Sequence, residues 1–172
     1  MFGPSCDASY SETAELAESY LQSYILWQYK LFCEESEESL RSVSQHAEFG
    51  ACKTGGGCGF FDIDGTPKPG AFEGTARPYA MSVAGKLQYT RFKHKKFEMR
   101  FSVDGKAGAT GHFKSFLFVS RKYTYPNGFR VTLTPPNVAS YSNVPNRTNL
   151  LQIQVFPNVT AGVNVTVKIE PL

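Results

Sequence analysis

The sequence predicts a mainly β fold: a β-sandwich over residues 81–172, preceded over residues 1–80 by the last αβ unit of a barrel and a connector. Three observations predict it. Beyond Met81, short runs of alternating apolar and polar residues are separated by Gly, Pro and Asn turns, the pattern of half-buried strands. Ahead of them, a helix-patterned segment leads into Tyr24–Lys30, which holds the single tryptophan and is nearly all apolar as far as Trp27. A strand buried on both faces reads this way. Between these regions, Glu34–Glu48 is acidic and serine-rich, and Cys52–Gly74 is rich in glycine and proline. Both read as loop or connector.

In chain order, Ser9-Tyr10-Ser11-Glu12 has capping-box spacing, and Glu12, Glu15 and Glu18 put negative charge at the front of the helix that follows. Ala14, Ala17 and Leu21 share one face, flanked by Leu16 and Tyr20, so the spacing predicts a helix over about 11–21. With the strand Tyr24–Lys30 it makes one αβ unit, which cannot stand alone because both strand faces need neighbours. Phe97, Met99, Phe101 and Val103 alternate with polar residues up to the turn Asp104-Gly105. Phe116–Val119 is a second strand. Tyr125-Pro126-Asn127-Gly128 is a turn, followed by alternating runs at Phe129–Leu133, Leu151–Val155 and Val163–Ile169. Several such strands make a sandwich of roughly 90 residues.

The chain of 172 residues can bury one core, as one domain or a domain plus a fragment. Its formal charge of +3 is too small for a nucleic-acid footprint. Lys86, Arg91, Lys93, Lys95, Lys96 and Arg100 cluster, and a solvated strand face and turn accounts for them. No apolar run reaches the roughly 20 residues that span a bilayer, and no basic-then-apolar signal peptide opens the chain. Three sequons, at Asn146, Asn158 and Asn164, accompany four cysteines, Cys6, Cys33, Cys52 and Cys58. Together they predict a secretory compartment, secreted or lysosomal. Cys52 and Cys58 flank a glycine-rich loop that can close on itself, which favours that pair and leaves Cys6 with Cys33, though four cysteines allow three connectivities. A zinc site lacks both a CxxC pair and a neighbouring histidine.

Other motifs are weaker than they look. Asp62-Ile63-Asp64-Gly65-Thr66 matches the DxDGT signature of haloacid-dehalogenase-like phosphatases. That chemistry needs an apolar strand before the motif, and here Gly55–Gly59 precedes it. A turn with two exposed aspartates is the better account. Gly55–Gly59 has no Gly-Lys-Ser/Thr after it, and so is no phosphate loop. His46, His94 and His112 form no ligand spacing or triad and read as surface residues.

Phe2-Gly3-Pro4-Ser5-Cys6, the helix and Gln22–Lys30 together resemble the end of a TIM (β/α)8 barrel of glycoside hydrolase family 5, more narrowly of its endoglycoceramidase and glucosylceramidase-like branch. Gly59-Phe60-Phe61-Asp62, Arg77–Gly85 and Tyr125–Arg130 resemble that branch's junction and C-terminal sandwich. The resemblance implies a barrel remnant with linker over 1–80 and the family's C-terminal sandwich over 81–172. It implies a retaining β-glycosidase that hydrolyses an O-glycosyl bond of a glycosphingolipid with two glutamates. The nucleophile of the family's Glu-Phe-Gly stretch falls at Met1 here, and the acid/base lies upstream, so no catalytic residue is present and the chain is expected to be inactive alone. Glu48-Phe49-Gly50 spells the same motif but follows a poor strand and precedes no tryptophan strand, so it is a lookalike.

On the residues alone Trp27 reads as a core tryptophan filling the barrel–sandwich interface. The resemblance instead makes it the substrate-binding residue, at the mouth of the final strand, where an indole can stack on a sugar. No cofactor or metal is implied. The partners implied are a glycolipid or oligosaccharide substrate of the full-length enzyme and peripheral contact with a membrane surface, with no nucleic acid. Two rival readings are a carbohydrate- or lipid-binding accessory module using Phe97, Tyr123 or Tyr125, and a phosphatase using Asp62 and Asp64.

Overall fold

The structure is a computed structural model that describes residues 6–25, 59–61, 66–105 and 113–172. Helix α1 (Cys6–Ser19) and the short helix α2 (Pro69–Thr75) precede eight strands: β1 (Tyr79–Ser82), β2 (Gly85–Lys93), β3 (Lys96–Val103), β4 (Lys114–Phe118), β5 (Phe129–Thr134), β6 (Ala139–Val144), β7 (Arg147–Val155) and β8 (Asn164–Pro171). They form two four-stranded antiparallel sheets, ordered β1-β4-β7-β6 and β2-β3-β8-β5. The mainly β, sandwich-bearing fold that the alternation predicts is the one observed.

Alternation explains the core. Phe97, Met99, Phe101 and Val103 from β3 and Val165, Val167 and Ile169 from β8 point inward from one sheet. Leu117 of β4 and Leu151, Ile153 and Val155 of β7 point inward from the other, and all are at most 4 % exposed. Burying one such side chain contributes roughly 1.5–3 kcal/mol. Ser115 is also buried, and its hydroxyl accepts the Ala84 N–H at 2.9 Å.

The N-terminal helix differs from expectation. It begins at Cys6, so Ser9 and Glu12 lie inside it and the capping-box spacing marks no start. Cys6-Asp7-Ala8 carries no glycine or proline, and nothing in it stops the helix from extending past that spacing. At the other end Leu21 is left-handed at φ 53°. Its N–H bonds to the Glu18 carbonyl at 3.1 Å and that of Gln22 to the Ala17 carbonyl at 2.9 Å, which is a Schellman closure. Ala14 is buried as predicted, but Leu16, Tyr20 and Leu21 are exposed. Tyr24 and Ile25 belong to no strand, and Ile25 is 95 % exposed rather than buried. The remainder of the predicted strand, 26–30, lies outside the described residues.

The chain divides into two compact units, Met1–Thr13 with Tyr24–Thr75 and Ala14–Ser23 with Ala76–Leu172. In the first, Tyr10 stacks on Phe60 with ring centroids 6.0 Å apart, and Phe60 and Phe61 pack on Phe72 at 5.2 and 5.5 Å. Phe61 and Pro67 form an antiparallel bridge, and Lys68 N–H bonds to the Phe60 carbonyl at 2.8 Å. The second unit is the sandwich with residues 14–23.

Candidate functional site

Within the sandwich unit, three hydrogen bonds hold the guanidinium of Arg77, which is 5 % exposed. Its Nε donates to Glu18 Oε1 at 3.0 Å and its Nη2 to Glu18 Oε2 at 2.9 Å, a two-pronged pair. Nη2 also donates to the Phe92 carbonyl at 2.8 Å, while the Phe92 N–H donates to Glu18 Oε2 at 3.0 Å. The guanidinium lies 4.8 Å above the Phe92 ring. Phe92 sits on β2, an edge strand, opposite Phe97 of β3. The ion pair therefore occupies the donor and the acceptor that an edge residue would otherwise leave open. Glu18 lies in the last turn of α1, where the helix dipole disfavours an anion, and Arg77 offsets that. The sequence shows both residues but not their pairing, because 59 positions separate them.

Tyr125–Arg130 proves to be a structural motif. Tyr125 is 1 % exposed, and its hydroxyl donates to the Ile169 carbonyl at 3.4 Å. Burial, and secondarily the charge of Glu170, pushes its phenol well above the ordinary range. Its ring packs against Phe129 at 5.4 Å. Gly128 follows at φ 97°, and a Cβ there would meet Leu172 Cδ1 at 2.9 Å, so only glycine fits easily. Phe97 is equally buried. Two of the three aromatics proposed for an accessory binding module are thus core side chains and cannot touch a ligand. Tyr123, the third, is half-buried.

The outer face of the β2-β3-β8-β5 sheet is strongly basic. Register places Tyr89, Arg100, Thr166 and Thr134 in one row across the four strands, Arg91, Glu98, Lys168 and Thr132 in the next, and Lys93, Lys96, Glu170 and Arg130 in the third. Lys86 lies beyond the first row, opposite Ser102. Seven exposed cations thus face out against two half-buried carboxylates. Lys96 and Arg130 approach Glu170 at 3.2 and 3.5 Å, and Lys168 approaches Glu98 at 3.7 Å. Hydrogen bonding and charge from Lys96, then Arg130, hold the Glu170 carboxyl below its usual range.

A model of the glycoside hydrolase family 5 C-terminal domain matches residues 77–169, more than half of the chain. The chain belongs to that family. The family 5 domain so defined begins at Arg77 and runs almost to the end of β8. Among solved structures, endo-glycoceramidase II from Rhodococcus sp. in complex with a five-membered iminocyclitol shares the fold, with a TM-score of 0.62 at 14% identity. That likeness covers 99% of this chain and 30% of the other. The same enzyme in its ganglioside GM3 complex matches 66% of this chain and 22% of its own at 18% identity, TM-score 0.48. Sterylglucosidase 1 from Cryptococcus neoformans matches 66% and 18% at 12% identity, TM-score 0.48. The chain therefore spans less than a third of the length of these proteins. No curated protein matches its sequence significantly.

Of the residues singled out in the sequence, Asn146, Asn158 and Asn164 are all exposed on the family 5 sandwich. Asn146 is left-handed at φ 58° in the β6–β7 turn. His94 is exposed in the β2–β3 turn. Trp27, Cys33, Glu48, Cys52, Cys58, Asp62, Asp64, His46 and His112 lie outside the described residues. Among the described residues Cys6 is the only cysteine, so both predicted pairings, Cys52 with Cys58 and Cys6 with Cys33, reach outside them.

Proposed function

We propose that this chain is the C-terminal part of a retaining β-glycosidase that hydrolyses the O-glycosyl bond of a glycosylceramide or related glycolipid. The observation that carries this is the family 5 match over residues 77–169. The fold likeness to an endo-glycoceramidase, which covers 99% of the chain and hence α1 as well as the sandwich, supports a barrel end before the sandwich and a glycolipid substrate. In this reading Trp27 offers its indole face to the sugar and excludes water from it. The Glu18–Arg77 pair holds the end of α1 to the sandwich edge.

The chain alone is inactive in this reading. Retaining hydrolysis needs two carboxyl groups about 5 Å apart, and no pair of glutamates in the sequence has the family's strand context. The purified 172-residue chain should release no fluorophore from a fluorescent glucosylceramide. Clear turnover abolished by Glu48→Gln would overturn this. In a longer chain that includes the upstream barrel, Trp27→Ala should raise KM about tenfold with a smaller change in kcat, from loss of about 1.4 kcal/mol of stacking.

We further propose a secretory-pathway location. The exposure of Asn146 and Asn158 supports it, since an acceptor must be reached to be modified. Expressed through a eukaryotic secretory route, the chain should lose mass on treatment with an N-glycan-removing enzyme; no shift would count against this location.

A further inference from the structure

We propose that the outer face of the β2-β3-β8-β5 sheet, together with the hairpin tip at His94-Lys95, docks on an anionic lipid bilayer surface. This stands on charge and geometry and does not depend on the glycosidase reading.

Charge asymmetry comes first. Seven cations against Glu98, Glu170 and, at the β2 edge, Glu15 leave a formal surplus of four on this face, more than the +3 of the entire chain. Salt bridges involve Lys96, Arg130, Lys168 and, through Glu15 at 3.9 Å, Lys93. Lys86, Arg91 and Arg100 have no ion pair among the described residues. Strands about 4.8 Å apart put these side chains on one surface about 15 Å wide. Their charges can thus all approach a charged plane within about one Debye length of 8–10 Å.

The hairpin tip is the second observation, and it breaks two local rules. His94 and Lys95 adopt φ of 50° and 58°, the double left-handed turn that Asn-Gly normally fills. The flanking pair, Lys93 and Lys96, places like charges directly opposite each other, which is unfavourable. Four consecutive basic-type side chains, residues 93–96, are therefore held exposed at the end of the sheet at a cost in stability.

A shallow open depression of about 360 Å³ adjoins the tip, lined by Arg91, Lys93, His94 and Lys168 together with the paired carboxylates Glu98 and Glu170. It has room for a lipid headgroup. A flat field of headgroups fits this face better than a nucleic-acid strand does, because Glu98 and Glu170 interrupt any continuous basic track across the four strands.

The test is co-sedimentation of the purified 172-residue chain with vesicles of phosphatidylcholine alone and with phosphatidylserine added. The expected result is binding only to the serine-containing vesicles, lost at about 1 M salt, where the Debye length is about 3 Å. Removing Arg91 and Arg100 together as R91Q/R100Q should weaken partitioning roughly 25-fold, about fivefold per charge. R91K/R100K should keep it, and thermal unfolding should show both variants folded. Equal binding to neutral vesicles, persistence at high salt, or an unchanged R91Q/R100Q partition would each overturn the proposal. So would tighter binding to single-stranded RNA than to the vesicles. The salt and lipid comparisons use the unaltered chain and decide the matter even if a variant misfolds.

Discussion

Arg77 shows how much one side chain can carry. Replacing it with alanine strands the Glu18 carboxylate, with its side chain only 14 % exposed, and frees the Phe92 carbonyl. Breaking such a buried pair costs about 3–5 kcal/mol, measurable by urea unfolding. The double change R77M/E18L should recover part of that loss, because no charge is then left buried. At Tyr125 the prediction concerns pH. Its pKa is raised in the fold, so its contribution is complete below the ordinary phenol value near 10 and is lost as pH rises above it. Tyr125→Phe should cost about 1 kcal/mol at pH 7, and its stability should fall less steeply than the parent's above pH 10. A parallel decline of the two proteins would show that other groups govern alkaline unfolding.

Among the elements, position in a sheet decided what the sequence revealed. The alternating runs in β3, β7 and β8 are read directly from residues such as Met99, Ile153 and Val167, because these strands lie inside their sheets and bury one face fully. β1, β2 and β6 carry no such pattern, and all three are edge strands; the fourth edge strand, β5, does alternate, because Val131 is buried and Phe129 and Leu133 are half-buried. Tyr79 and Met81 on β1 stay half in solvent, and Lys86, Arg91 and Lys93 on β2 face water. An edge residue that buries little leaves little periodicity to detect. The candidate site was illegible for a different reason. The pairing of Glu18 with Phe92 and Arg77 is tertiary, and the basic cluster becomes one surface only when β3 and β8 align. The β2–β3 tip offers a test of strain at this scale. Replacing His94-Lys95 by Asn-Gly should stabilise the hairpin by about 1–2 kcal/mol, read as a higher Tm. Gly85→Ala at the other end of β2 should do the opposite and cost at least 3 kcal/mol, because φ is 152° and a Cβ would lie 2.0 Å from the Ser102 carbonyl oxygen.

For the whole molecule, stability should be graded rather than uniform. Amides of β3 and β8, paired on both sides, should exchange only through global unfolding, and those of β1 and β6 through smaller openings. Hydrogen exchange finding β6 as slow as β3 would contradict that gradient. The inclusion of residues 14–23 in the sandwich unit has a further consequence for chain connectivity. Residues 24–75 leave that unit at Ser23 and return to it at Ala76, so in topology they are an insertion with both ends anchored on one body. Doubling the length of such an excursion costs only about 0.6 kcal/mol, so its length is free to drift. A cut within it should leave two polypeptides still joined through Glu18 and Arg77. Residues 1–23 supplied as a separate peptide should raise the Tm of residues 76–172, whereas the same peptide carrying Glu18→Ala should not.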